Sequence, residues 1–411
     1  MFTPKMLPYF SVVMPTFNRG HLIHFAIESV LQQTFEDFEL IVSNGGSTDD
    51  TRAIVKKFDD PRIRYFEASQ KISIGDNYQT GLNHSKGRYI TFLSDDDAYV
   101  PMLFERLVPI LERESAEIVG YPSAIYYHDG LIETTGPIEN NTLALPKFDS
   151  GLTQFTAKES GSQILGLHGM NNVVRHNKFV CPYLANAVYH KDVFSRLSSV
   201  TPFLFHSVPA DLYLAAAVFF VTEKYYCLDQ PLHIWSNWKG NATASAGRTG
   251  NELRTHYETL LDGRTLENMP LKFALGPNCA ANAIIQAKHD FGNRERETEV
   301  DWGAYYITMY EYLLALNDLG INVQRELREF YEQLEKELPE IRSVVRPKVR
   351  RFAYIAKSRL RKYVRLEKLA RRVLGAESSG ERILISGDDN DFHDVLKGSL
   401  YVASQMNNFD I

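Results

Sequence analysis

The chain has 411 residues, 44% of them apolar and 23% charged, with 45 Lys and Arg against 51 Asp and Glu and a formal net charge of -6. This is the balance of an ordinary soluble protein; it disfavours a nucleic-acid binder, and the length suits one large domain with an appendage. Only Cys181, Cys227 and Cys279 occur, too few and too scattered for a disulfide framework or zinc cluster, and with no signal peptide or apolar run of about 18 residues the expected location is cytoplasmic.

Tyr9 to Met14 reads as a buried strand, stopped by the loop Pro15-Thr16-Phe17-Asn18-Arg19. A helix over His21–Gln33 follows, then a second apolar strand over Phe38–Ser43 closed by Asn44-Gly45-Gly46. Ser47 or Thr48 is placed to cap a helix over Asp49–Phe58, with Asp49 and Asp50 against the positive end of its dipole. Next come a strand over Arg62–Glu67, a helix over Asp76–Ser85, a strand over Arg88–Leu93, a helix from Pro101 to about Glu114 and a strand over Ile118–Tyr121. This alternation predicts an α/β fold with a mostly parallel sheet flanked by helices.

From Pro122 to about Val180 periodicity is weak, which predicts loops and short hairpins over a cleft. Ala187–Tyr189 reads as a returning strand, His190–Leu197 and Leu212–Val221 as helices, Lys224–Leu228 as a strand, and Trp235–Asn241 as a polar, aromatic-rich loop. From about Asn251 the pattern is mainly helical, with Ile383–Ile385 and Asp391–Gln405 as a small strand and helix near the end. Between Arg342 and Arg372 stand thirteen basic residues opposed only by Glu367, and Val349, Phe352, Ala353 and Ala356 share one helical face. Such a basic amphipathic helix fits an anionic membrane surface, an oligomer interface or a solvated face, and the alignment of its two faces favours the first.

The fourth strand ends in Ser94-Asp95-Asp96-Asp97. Three adjacent carboxylates at a strand's C-terminal tip lie where open α/β sheets bind ligands, and their mutual repulsion invites a hard cation carrying a phosphate-bearing substrate. Taken alone, such a triplet is more simply a solvated acidic turn.

Its company changes that reading. Pro15-Thr16 with Asn18 and Arg19, then Asn44-Gly45-Gly46-Ser47-Thr48-Asp49-Asp50-Thr51, then the triplet with Pro101 four residues on, together resemble the nucleotide-sugar-binding half of family-two glycosyltransferases of the GT-A fold. The resemblance is strong over residues 9 to 121 and weaker to about 245. It implies a GT-A domain over 1–245, divided into a nucleotide-sugar half (1–121) and an acceptor and catalytic half (122–245), followed by a mainly helical region over 246–411. It further implies a divalent metal, Mn or Mg, held at the triplet, with Asp97 ranked first as ligand, Asp95 or Asp96 as its pair, and His233 as a further contact. Pro15, Thr16, Asn18, Arg19, Asn44 and Lys239 fall where the family holds the nucleotide and diphosphate; Asn44 stands where an Asp is common. Asp211, within Pro209-Ala210-Asp211 and followed by the strand ending Asp229-Gln230-Pro231-Leu232, falls where inverting members keep the general base; Ala210 replaces an accompanying Glu. An Asp at a helix start is also an ordinary cap.

The implied function is inverting, metal-dependent transfer of a single sugar from a nucleoside-diphosphate sugar, most often UDP-linked, to a glycan or lipid-linked acceptor. A peripheral position on the inner face of a membrane suits such an acceptor. The alternatives are a non-catalytic scaffold retaining a nucleotide site and a sugar nucleotidyltransferase, the latter disfavoured because no Gly-rich, Arg-containing loop follows the first strand. A Rossmann oxidoreductase is disfavoured for want of Gly-x-Gly-x-x-Gly.

Overall fold

The structure, a computed structural model, describes residues 7–128, 131–133, 136–138, 140–165, 180–205, 209–237, 255, 257–259, 261, 266–292, 299–318, 321–357, 382–390 and 392–407. β1 (Phe10–Thr16), α1 (Ile23–Leu31), β2 (Phe38–Asn44), α2 (Thr51–Val55), β3 (Ile63–Glu67), α3 (Ile74–His84) and β4 (Tyr89–Phe92) alternate through the first quarter. β1 and β2 are buried along their whole length, which is why they read as continuous apolar runs rather than as alternating patterns. The buried charge among them, Glu39 on β2, accepts from Ser11 Oγ at 2.7 Å and pairs with Arg64 at 2.6 Å.

After β4 the chain changes sheets. β5 (Ala98–Tyr99), α4 (Leu103–Glu114), β6 (Ile118–Gly120), β7 (Ser123–Tyr127), the hairpin of β8 (Leu131–Glu133) with β9 (Gly136–Ile138), β10 (Thr142–Pro146), β11 (Leu152–Thr156) and α5 (Ala157–Leu165) follow in turn. Then come β12 (Ala187–His190), α6 (Lys191–Ser198), α7 (Ala210–Val221), β13 (Lys224–Leu228) and β14 (His233–Asn237). The main sheet has eight strands in the order β11-β13-β6-β12-β4-β1-β2-β3, with β1 parallel to both β2 and β4 and β12 antiparallel to β4 and β6. The chain runs outward from β1 through β2 to β3 and then returns to β4 on the other side of β1. A crevice therefore opens at the C-terminal ends of β1 and β4, the position at which such sheets take ligands.

The C-terminal part contributes α8 (Gly276–Phe291), α9 (Trp302–Asp318), α10 (Gln324–Lys336) and α11 (Pro339–Lys357), then β15 (Arg382–Ser386) and α12 (Val395–Asn407). α8 packs against α7, and one apolar core runs from the main sheet through α7 into α8 and α9. β15 joins a second sheet, β15-β10-β7-β14-β5, and α12 packs over β14 and β5.

Several expectations differ in detail. Helix α2 begins at Thr51 rather than Asp49, because Asp49 is spent closing the preceding turn: its carboxylate accepts from Gly20 N at 3.0 Å and Thr51 N at 3.0 Å. Part of the expected loop over residues 235 to 241 is strand β14, paired with β7 in parallel and β5 in antiparallel register. The expected irregular stretch after Pro122 holds β7 and β10 of the same sheet. The remainder of that loop, Lys239 included, and the basic stretch beyond Lys357 lie outside the described residues.

Candidate functional site

Two turns build the rim of the crevice and are tied to each other. Asn18, at φ 55, accepts from Thr48 N at 2.8 Å through Oδ1 while its own N–H donates to Ser47 Oγ at 2.8 Å. Arg19 N donates to Thr51 Oγ1 at 2.9 Å. Gly45 N and Asn77 Nδ2 both donate to the Thr16 carbonyl, at 2.9 and 3.0 Å. The loop after β1 and the turn after β2 thus form one rigid lip. Gly46 is required there: its φ is +84, and a Cβ would stand 2.5 Å from the Gln70 carbonyl.

Asn44 is engaged within this lip. Its Nδ2 donates to Tyr65 Oη at 2.7 Å and reaches Glu67 Oε1 at 3.4 Å, while Oδ1 accepts from Ser47 N at 2.9 Å. The amide therefore shapes the turn, and reading a base edge would require it to share those partners.

The triplet sits at the seam between the two sheets, since β4 ends just before it and β5 begins just after. Its members are not equivalent. Asp97, 3% exposed, takes Ser236 N at 2.8 Å on Oδ1 and His233 Nε2 at 3.1 Å on Oδ2. The other ring nitrogen, His233 Nδ1, lies 2.8 Å from Ser123 Oγ, the residue paired with His233 across β14 and β7. The consistent proton assignment has Nε2 donating to Asp97 and Nδ1 accepting from Ser123, so neither nitrogen is left to ligate a metal. A buried Ser-His-Asp chain of this kind welds β5, β14 and β7 together behind the crevice.

Asp95 faces the other way. Its carboxylate lies 3.8 Å from Arg19 Nε; burial pushes it up to about 6, while the Thr16 hydroxyl, the Arg19 guanidinium and the Phe17 N–H pull it back down. Asp95 and Asp96 retain 9% and 8% exposure. Pro15 and Thr16 close β1 directly opposite.

Asp211 opens α7, a helix buried on every side from Leu212 to Phe219. Burial raises its carboxyl above the usual aspartate range, and the Leu212 N–H, donating to Oδ1 at 2.9 Å, pulls it back only in part. Tyr78 on α3, stacked on Phe205 and edge-on to Phe92, connects the two acidic groups. Burial raises its hydroxyl, and the negative fields that add to this come from Asp211, Asp95, Asp97 and Asp96. In the sequence Asp211 stands more than a hundred positions from the other three, and nothing marks Tyr78. An aromatic next to Asn77 gave no signal of its own.

A mixed α/β sheet flanked by helices, with acidic groups gathered at the tips of its parallel strands, is an architecture of the GT-A type. Residues 11–196 match the model of glycosyl transferase family 2. The chain is 38% identical over 117 residues to the GalNAc(5)-diNAcBac-PP-undecaprenol beta-1,3-glucosyltransferase of Campylobacter jejuni, covering 28% of this chain and 38% of that one. It is 34% identical over 101 residues to the UDP-Glc:alpha-D-GlcNAc-diphosphoundecaprenol beta-1,3-glucosyltransferase WfgD of Escherichia coli, covering 25% of this chain and 40% of that one. The aligned stretch is thus well under half of either relative. Among solved structures, S. aureus TarS 1-349 in complex with UDP-GlcNAc aligns with a TM-score of 0.47 and 13% identity over 85% of this chain and 91% of that one, too distant to carry residue roles across.

Proposed function

We propose that the protein transfers a single sugar from a nucleoside-diphosphate sugar, UDP-linked, to an acceptor hydroxyl with inversion at the anomeric carbon. The observation that carries this reading is that Asp95 and Asp96 at the tip of β4, and Asp211 at the start of α7, all act electrostatically on Tyr78 beside the C-terminal ends of β1 and β4. Inverting transfer needs a carboxylate base on the acceptor side and a charge-compensating group for the diphosphate on the donor side. Asp211 has the chemistry of the base: a half-buried carboxyl with a raised proton affinity accepts the proton of an attacking hydroxyl better than an ordinary aspartate does.

The donor set fits a hard divalent metal, Mn or Mg, at Asp95 and Asp96, two carboxylates beside the diphosphate position. When bound, such a metal would supply Lewis-acid stabilisation of the departing diphosphate. Asp97, first in the ranking from sequence, has each oxygen already accepting a protein donor, and with His233 it acts as the brace that fixes the triplet's geometry. Arg19, held 3.8 Å from Asp95, offers a second cation to the diphosphate, and Pro15, Thr16, Asn18 and Asn44 shape the nucleotide pocket. A lipid-diphosphate-linked glycan is the acceptor class, by analogy with the two bacterial relatives.

The test is a titration of the purified chain with UDP, GDP and CDP, with and without Mn²⁺. Saturable, metal-enhanced UDP binding is expected. Absence of any nucleotide binding refutes the reading, and binding indifferent to metal removes the role given to Asp95 and Asp96.

A further inference from the structure

Helix α11 is docked by one face only. Val345 and Val349 are buried in the core shared with α9, with Ile341 packed beside them. Arg342 and Arg346 on the flank reach the end of α10, Arg342 Nη1 donating to the Glu335 carbonyl at 3.2 Å and Arg346 pairing with the Glu335 carboxylate. One flank and the outer side carry Val344, Pro347, Lys348 and Arg351 at spacings of three and four, with Arg350 farther round, all of them exposed. Val344 is 51% exposed, and Leu338 just before the helix is 65% exposed. Glu340, in the first turn, is the helix's one acidic residue. The stripe therefore combines apolar tips with flanking cations on a helix whose other side is fixed to the protein body.

Charge segregation along the whole chain points the same way. The stretch 342–372 holds thirteen of the 45 basic residues and one of the 51 acidic ones, a formal +12, which leaves -18 on everything else. A chain so polarised is attracted to an anionic surface through this stretch and repelled from it by the rest. Mixed apolar and basic side chains on a single exposed helical face are the chemistry of the bilayer interface, where apolar tips enter the headgroup region and cations meet lipid phosphates.

We infer that the outer face of α11 is a docking surface for an anionic lipid bilayer, with Lys348, Arg350 and Arg351 meeting headgroup phosphates and Val344 and Leu338 entering the interface. It requires no substrate, so it stands apart from the transfer reaction; if that reaction uses a lipid-linked acceptor, docking also brings the acceptor near the crevice.

The test is flotation of the full chain with vesicles of phosphatidylcholine alone or mixed with phosphatidylglycerol, without nucleotide. Binding to the mixed vesicles only, weakening with added salt, is expected. Replacing Lys348, Arg350 or Arg351 by Gln should weaken partition about fivefold each and the three together about a hundredfold, with the melting temperature unchanged. Failure of the wild-type chain to float with anionic vesicles overturns the proposal, whatever the variants do. So does equal binding to both vesicle types, full binding by the triple variant, or retention on duplex DNA as strong as on anionic vesicles at the same salt.

Discussion

The tip of β4 presents buried carboxylates and the start of α7 a half-buried one, yet the protein treats Asp97 and Asp211 oppositely. Asp97 is held from two sides by donors on β14, and one of them, the His233 ring, is held in turn by Ser123 on β7. Among the described residues Asp211 receives backbone N–H groups alone, those of Leu212 and of itself, and its proton affinity rises with burial. A carboxylate with each oxygen satisfied is fixed and stabilises the fold around it. One left short of donors is ready to take a proton. The contrast separates a residue that shapes the site from one suited to chemistry within it, although both are the same amino acid.

The largest expected effect lies at α7. Asp211→Asn should lower kcat by about 10²- to 10⁴-fold, the usual worth of a positioned general base, while leaving the affinity for UDP unchanged in a calorimetric titration. Turnover within tenfold of wild type would remove Asp211 from the mechanism. In the wild-type enzyme the acidic limb of kcat/KM should fall at a pH above that of an ordinary aspartate, because burial raises this carboxyl and the base must be ionised to act. A limb at the ordinary aspartate value would mean that the group is solvated in the working enzyme.

At β4 the effects should appear in binding and stability. Asp96→Ala is expected to abolish the Mn²⁺ enhancement of UDP binding. Asp97→Leu should instead destabilise the fold by about 2–4 kcal/mol in urea denaturation, because it strands the Ser236 N–H and the His233 ring in the interior. Asp97→Asn should cost less, about 1 kcal/mol: the amide oxygen still accepts from Ser236, and the imidazole can switch tautomer to accept from the amide nitrogen while Ser123 accepts in turn. If Asp97→Asn and Asp97→Leu proved equally damaging, the brace would depend on the negative charge rather than on the hydrogen bonds.

Residues near in sequence were readable and residues joined across it were not. The runs over Phe10–Thr16, Phe38–Asn44 and Tyr89–Phe92 are buried on both faces, so their composition alone marks them as interior parallel strands, and the turns after them announce the crevice. The strand His233–Asn237 is polar and short, and it owes its place to pairing with Ser123–Tyr127, some 110 positions away. No local pattern marks such a strand. The same distance hid the inequality within the triplet: three identical residues in a row differ only in what the fold brings to them, and the partners of Asp97 arrive from 136 and 139 positions downstream. The terminal strand Ile383–Ile385 was legible as a strand, but not its place at the edge of the second sheet beside β10.

The smallest expected effect divides the two regions most sharply. Because the folded-state proton affinity of Asp211 lies above that of the unfolded chain, the native state binds the extra proton. The stability that this proton contributes is fully present below the unfolded carboxyl's pKa and is lost as pH rises through the folded one. At neutral pH the native protein therefore carries the cost of an ionised, under-bonded carboxylate, and Asp211→Asn relieves it. The variant should be no less stable than wild type at pH 7, differing by under about 1 kcal/mol, with any advantage shrinking on acidification. Urea denaturation of both proteins at neutral and acidic pH measures this. A clear loss of stability in Asp211→Asn at neutral pH would show that α7 depends on its first aspartate as β4 depends on Asp97, and the distinction between the two carboxylates would fail.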